Sequence, residues 1–229
     1  MRVKGGPATR NRRKKVLELG TNNIGEMKYL SSIVNPNISI ITNIGLSHIG
    51  NFKTKNNILK EKLDINGEIL FLNGEDNLLK DIKGNHIYIN DYDYIPKIDF
   101  MRINYNLAFK VCEYLGFNMD EIKYIIKDFN IYNSRMSITS INNIDIIDDT
   151  YNASYESVIS GLKYINRYNR KLIILGDMLE LGDRSFELHN LVKKYIDSMS
   201  CVDLITIGSD IKVIKNKIHF NSNSSLIDY

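Results

Sequence analysis

No uninterrupted apolar run in these 229 residues approaches the roughly 20 that a bilayer-crossing helix needs. The first fifteen residues, MRVKGGPATRNRRKK, carry charge with no apolar core behind it, so a secretory leader is not expected. The expected setting is cytoplasmic, with no membrane association. Cysteine is scarce: Cys112 and Cys201 are the two present. Both fall in stretches that read as helical, and no C-x-x-C spacing offers them a metal or redox partner, so they read as reduced thiols. No repeat of fixed period appears, which excludes a solenoid or propeller. Acidic residues are missing from the N-terminal fifteen, which hold seven of the 30 Lys/Arg and leave 23 against 27 acids in the rest. The formal charge of +3 is therefore a basic tail on a mildly acidic body. That distribution does not describe a nucleic-acid-binding domain; residues 1–15 read as a solvated, disordered tail, with contact to anionic phosphates as the lesser alternative.

What is present is an ordinary globular composition, 43% hydrophobic and 25% charged, long enough for one or two domains with a real core. Short β-branched runs alternate with helical patterns. Strands are predicted at Val16–Leu19, Ile38–Ile44, Glu68–Leu72 and HIYIN, with helices over GEMKYLSSIV, closed by Pro36, and Lys53–Asn66. A linker rich in Asp and Tyr follows at 91–99, then two helices between Phe100 and Phe129, split near Gly116, the second with an Asn118/Glu121 capping pair. RMSITSI and IDIID flank Asn142-Asn143, a hairpin-like connection. Beyond it come a helix at Ser154–Tyr168, strand Lys171–Leu175, helix Arg184–Met199, strand Asp203–Ile207, a short helix at Ser209–Lys215 and strand KIHF. A last helix begins at SSLIDY. Strand–helix alternation of this kind implies parallel sheets covered by helices, an α/β fold.

The most informative stretch is Ile144–Ser154, IDIIDDTYNAS. It reads as a buried strand of a parallel sheet that stops at two carboxylates. In open α/β sheets ligands collect at the carboxyl ends of strands, so Asp148 and Asp149 point to a site; two acids in a solvated turn are the alternative. Other strands end the same way, at Glu18, at Asn43 with His48 beyond it, and at Asn73. Carboxylates suit a hard divalent cation such as Mg²⁺, and an imidazole suits it poorly. His48 by itself is a loop histidine.

Longer segments carry a resemblance. VLELGTNNIGEMKYLSSIVNPNISIITNIGLSHIGNF resembles the central domain of the ATP-dependent Mur ligases, with its E-x-G-x-N-x-x-G-E and TNIG-x-x-H runs. NIDIIDDTYNAS followed by KLIILGDMLELGDRSFELH is similar to the C-terminal domain of the same family. The likeness covers roughly residues 15–80 and 100–220. It implies an incomplete Mur-ligase central domain, a parallel sheet with helices, plus a Rossmann-like C-terminal α/β domain. The implied division is a basic tail at 1–15, a partial ATPase-type domain at 16–133 and a C-terminal ligase domain at 134–229. The branch it resembles most adds D-Ala-D-Ala to UDP-N-acetylmuramoyl-tripeptide. ATP and Mg²⁺ are the implied cofactors, and the UDP-muramoyl-peptide and D-Ala-D-Ala the implied substrates.

Roles follow onto matching positions. Glu18 and His48 take the places of the family's metal-binding glutamate and histidine. Lys62 stands where the family has a carbamylated lysine that helps hold a second metal, with Lys60 as the alternative if the register slips by two. Asn43 belongs to the TNIG run, and Asn73 and Asp76 to an N-x-D-D segment in which Glu75 replaces the first acid. Asn104 matches the second asparagine of an H-N-x-x-N-A-L-A helix whose leading His-Asn is here Phe100-Met101. Arg135 matches the arginine that reaches the nucleotide phosphates, Asp149 the acid that contacts ATP, and Tyr151 and Asn152 continue that motif. Asp177, Glu180 and His189 match motif positions with no contact specified. Lys62, Arg135 and Asp149 are the implied catalytic set.

One family feature is missing from the sequence. The G-x-x-G-K-[ST] loop, whose backbone N–H groups and lysine cradle phosphates, does not occur in these 229 residues. The stretch between Asp76 and Asn104 is also short against the family, and the chain stops where the family's last strand is due. The expectation is a ligase lacking its front, with a clipped tail and an exposed strand edge that a partner covers. Either a second chain supplies the phosphate loop, or the protein is a non-catalytic remnant or binding module of a Mur ligase.

Overall fold

The computed structural model describes residues 14–90, 101–127 and 135–228. The expected Asp/Tyr-rich linker at 91–99 and the basic tail through residue 13 lie outside the described residues. The chain forms two units, Met1–Ile44 with Asn56–Phe129, and Gly45–Lys55 with Asn130–Tyr229. The stretch Gly45–Lys55 thus groups with the C-terminal half, although the chain on both sides of it belongs to the first unit.

In the first unit, β1 (Ile38–Ile41), β2 (Ile69–Asn73) and β3 (His86–Ile89) form a parallel sheet in that order. Ile38 lies opposite Ile69, and Leu70 opposite His86. Every residue of the central strand β2 is buried, as a continuous apolar run between two parallel neighbours requires. Helices α1 (Glu26–Val34), α3 (Lys55–Leu63), α4 (Arg102–Tyr114) and α5 (Met119–Lys127) complete the unit. The core is Ile69, Phe71, Ile89 and Leu107, with Ile38, Ile87, Ile103 and Val111 packed against it. Ile103, Leu107 and Val111 are spaced four apart, so one stripe of α4 supplies all three. Tyr114 at the end of α4 meets Phe71 edge-on at 5.6 Å.

The predicted strand at Val16–Leu19 is not one. The stretch is irregular and Val16 is 97% exposed. A strand exists only through its ladder, and among the described residues β1 pairs with β2 alone.

The second unit holds a parallel sheet of β6 (Lys171–Gly176), β7 (Val202–Ile207) and β8 (Ile218–Phe220), in that order, and an antiparallel hairpin of β4 (Ser137–Ile141) and β5 (Ile144–Asp148). Helices α2 (Ile49–Phe52), α6 (Tyr155–Ile165), α7 (Ser185–Asp197) and α8 (Asn223–Ile227) belong to it, with 3₁₀ turns at Gly182–Arg184 and Ile211–Ile214. The expectation for β5 is corrected here. It is a hairpin strand, with Ile144 66% and Ile146 48% exposed, and not a buried strand of a parallel sheet. The reason is local. Asn142 and Asn143 adopt φ of 48° and 63°, the left-handed pair of a tight two-residue turn, so β5 spends its ladder on β4. α6 starts at a reciprocal cap, with the Ser157 N–H donating to Ser154 Oγ and the Ser154 N–H to Ser157 Oγ. Cys112 lies in α4, whereas Cys201 is an exposed residue with φ 53° between α7 and β7, not a helical one.

The chain is therefore mixed α/β, with parallel sheets and helices. Leu107, 2% exposed at the centre of the first core, tests that packing. Leu107→Ala is expected to lower stability by about 2–5 kcal/mol, read as a fall in the urea midpoint, and a loss below about 1 kcal/mol would refute the core assignment.

Candidate functional site

Parallel strands bring their carboxyl ends to one edge, and in the first unit polar groups meet there. Asn43 lies two residues past β1, and its carbonyl oxygen accepts from Lys62 Nζ at 3.0 Å. The next residue, Ile44, donates its N–H to Asp76 Oδ2 at 2.8 Å, while Asp76 Oδ1 takes the N–H groups of Leu78 and Leu79 at 2.8 and 3.2 Å. Asn73, buried at the end of β2, accepts the Glu75 N–H at 2.9 Å. Asn43, Lys62 and Asn73 therefore come together, and Asp76 ties the two strand ends. Lys62 reaches this edge; Lys60 is exposed and borders a different depression with Ile24, Asn57 and Glu61.

Two expected residues of this unit stand apart. Glu18 is exposed in the irregular stretch before α1, and Asn104 is exposed on α4. Its neighbour Asn106 is buried and donates to the Arg102 carbonyl at 2.8 Å. Glu61 escaped the sequence reading. Only 2% exposed, it accepts the N–H groups of Gly25 and Met27 at 2.7 and 2.6 Å and so caps α1 from another helix. The signal was its place between Lys60 and Lys62 on a helix face that also carries the buried Ile58.

In the second unit Arg135, Asp149 and Tyr151 form one group. The Arg135 guanidinium lies over the Tyr151 ring, 4.0 Å from its centroid, a cation–π stack. Met136, left-handed at φ 53°, donates its N–H to Asp149 Oδ1 at 3.1 Å. Gly161 of α6 brings the helix close, since a Cβ there would stand 3.6 Å from Asp149 Oδ2. Burial pushes the Asp149 carboxyl above the usual range; the Met136 N–H pulls it down, and the charge of Asp148 adds to the rise. Asp148 itself accepts the Thr150 N–H and hydroxyl at 3.0 and 2.7 Å, so it builds the turn after β5.

The GDMLELGD run is largely self-occupied. The Asp177 carboxylate accepts the N–H groups of Ser209, Asp210 and Ile211 at 3.0, 3.1 and 2.8 Å. A side chain at Gly208 would lie 2.3 Å from Asp177 Oδ1, so only glycine fits. His189 is fully buried; its Nε2 accepts the Met178 N–H at 3.0 Å, which places the proton on Nδ1, 2.8 Å from the Ser185 carbonyl. Glu180 faces His48, its carboxylate against the solvent-excluded Nδ1 of the imidazole.

The donor chemistry for a metal is only partly right. Among the described residues no three His, Cys, Asp or Glu side chains gather as a ligand set. Glu18 is exposed, and Nδ1 of His48 lies against the Glu180 carboxylate without forming a hydrogen bond. Lys62 is an ammonium donor to the Asn43 carbonyl; a carbamate there would add two acceptor oxygens and leave one N–H on Nζ. What the second unit does offer is a fixed positive charge on an aromatic platform beside a half-buried acid, an arrangement suited to a phosphate with a planar ring or sugar near it.

Two family models match the chain, the Mur ligase middle domain over residues 8–141 and the Mur ligase glutamate ligase domain over 134–227. The UDP-N-acetylmuramoyl-tripeptide–D-alanyl-D-alanine ligase of Buchnera aphidicola (subsp. Acyrthosiphon pisum) is 27% identical over 262 residues, covering 93% of this chain and 58% of the relative. The enzyme of the same name from Haemophilus influenzae is 24% identical, covering 96% and 58%. The chain thus spans little more than half the length of these curated relatives. Among solved structures, MurF from Acinetobacter baumannii superposes with a TM-score of 0.80 at 20% identity, over 93% of this chain and 56% of that one. The MurF ligase of Thermotoga maritima, in complex with ADP, gives 0.73 at 20% identity over 88% and 56%.

A carboxyl whose folded pKa lies above its unfolded value weakens the native state as pH rises through the interval between the two. Asp149→Asn keeps an oxygen for the Met136 N–H and removes the charge. The variant is expected to be more stable than the parent at neutral pH, with the difference vanishing below the ordinary carboxylate range. Thermal midpoints across that range check this, and a variant that is less stable at neutral pH than in acid, relative to the parent, contradicts it.

Proposed function

This chain belongs to the Mur ligase family, and from that membership we propose that its second unit holds the nucleotide of an ATP-dependent ligase that joins D-Ala-D-Ala to UDP-N-acetylmuramoyl-tripeptide. The observation that carries the reading is the Arg135–Tyr151 stack beside Asp149, at the outer end of the β4–β5 hairpin. The relatives' names support the substrates, and the ADP complex of a structural neighbour supports the nucleotide. A cytoplasmic setting, where ATP and UDP-linked precursors meet, goes with it.

The reaction suits these residue types. A substrate carboxylate attacks the γ-phosphorus of ATP, the bond to the bridging oxygen breaks, and ADP leaves with the electron pair. The dipeptide's amine then attacks the acyl carbon; the acyl C–O bond breaks, phosphate leaves, and the amine gives up a proton to become the amide. Negative charge on the phosphoryl oxygens is what must be stabilised. Arg135 supplies a charge, and stacking on Tyr151 keeps the guanidinium extended. Asp149 holds the Met136 N–H and so fixes the backbone from which Arg135 projects. In the first unit Lys62 and Asn43 place a second positive charge at the end of β1. Glu18, His48 and Lys62 are the residues that would hold Mg²⁺ in this reading, and the ion would add positive charge against the phosphoryl oxygens. The G-x-x-G-K-[ST] cradle comes from polypeptide outside these 229 residues, in a second chain or a further segment.

A second reading is a module that binds the nucleotide without turnover. Isothermal calorimetry of the full chain with ADP tests the first step of both. Arg135→Ala is expected to weaken binding about 10–100-fold, the range for a lost charge-assisted hydrogen bond, and Tyr151→Ala only about threefold. Absence of ADP binding up to millimolar concentration ends the nucleotide reading. Phosphate release with the two named substrates, in the presence of a polypeptide carrying the loop, selects the ligase over the module.

A further inference from the structure

The stretch Gly45–Lys55 carries His48 and is gripped at both ends by one carboxylate. Glu156 Oε2 accepts the Leu46 N–H at 3.1 Å, and Glu156 Oε1 accepts from Lys55 Nζ at 3.1 Å. We propose that Glu156 is the positioning residue of this arm, and that through it the ring of His48 is set against Glu180. The inference goes beyond the nucleotide reading and does not depend on it.

Three observations carry it. The first is the placement of the grip, since Glu156 is the second residue of α6, directly behind the Ser154/Ser157 cap, where a carboxylate also suits the helix dipole. The second is the closeness of the seat. Gly50 donates its N–H to the Glu180 carbonyl at 3.0 Å. A Cβ on Gly50 would lie 2.8 Å from the Gly182 nitrogen, and one on Gly182 2.7 Å from the Gly50 Cα. The third is backbone strain. His48, Lys53 and Glu180 are non-glycine residues at φ of 60°, 66° and 62°. Such conformations persist only where surrounding contacts over-determine them. Leu46, Ile49 and Phe52 are buried, but apolar burial is non-directional and does not choose a register. The polar grips do, and Glu156 supplies two of them, nine residues apart. Glu180 then meets an imidazole already presented to it.

The test uses the full chain with ¹⁵N-labelled histidine and amide exchange. In Glu156→Ala the His48 ring resonances are expected to shift, and the Leu46 and Gly50 amides to exchange at least tenfold faster, while amides of β6 and β7 keep their protection. Glu156→Gln, which retains an oxygen for the Leu46 N–H but no charge for Lys55, is expected to keep Leu46 protected and to shift His48 less. Unchanged His48 resonances in Glu156→Ala, or loss of protection in β6 and β7 to the same extent, would overturn the proposal. If that variant does not fold, Lys55→Met removes one grip alone. A His48 shift there upholds the proposal and its absence overturns it. None of these readouts involves ADP, so a failed nucleotide reading leaves them intact.

Discussion

A loop that leaves a parallel strand carries backbone N–H groups with no ladder to join, and burying them unpaired is costly. In this chain carboxylates take them, and they also take N–H groups of a helix start and of the hairpin's entry. Asp76 holds Ile44, Leu78 and Leu79; Glu61 holds Gly25 and Met27; Asp149 holds Met136; Glu156 holds Leu46; Asp177 holds Ser209, Asp210 and Ile211. Each bond is charge-assisted, worth about 1.5–3 kcal/mol where well formed. Together they fix the loops that carry Asn43, His48, Arg135 and Asp149.

That dependence changes how the acids are to be understood. A carboxylate engaged by two or three N–H groups is part of the frame and has few lone pairs left for a ligand. Asp76 and Asp177 belong to motifs shared with the Mur ligases, yet in this structure they organise loops. Asp149 differs. It accepts one backbone donor, is half-buried, and stands beside Asp148, so its charge remains uncomfortable in the native state. Groups left in that condition are common at sites that bind something.

The division of labour within the second unit follows from geometry. The hairpin turn at Asn142-Asn143 commits β5 to β4 and leaves the Arg135, Asp149 and Tyr151 cluster at the hairpin's open end. The GDMLELGD run is spent elsewhere, on His189, on the loop after β7 and on the arm that bears His48. The two groups share a unit and a family pattern but have separate physical tasks.

Much of the element order was legible in the residues. Apolar runs marked β1, β2, β6 and β7, helical spacing marked α1, α4 and α7, and the Asn-Asn pair marked the hairpin, because these signals are local and backbone sterics act locally. The long ordered motifs also sufficed to identify the family and to bring Arg135, Asp149 and Tyr151 forward among the candidate residues. Pairing partners were not legible. Whether Val16–Leu19 becomes a strand, or β5 joins a parallel sheet, depends on which edge is available to it, and hydrophobic pattern does not encode that. Nor could the sequence distinguish an acid that grips its own backbone from one held for a ligand, since Asp76, Glu61, Glu156 and Asp149 are chemically alike until the fold sets N–H donors around them. Residue chemistry determined which groups were available for binding; tertiary structure decided which were already taken, because hydrogen bonds between distant segments form only once the chain has brought them within 3 Å or so.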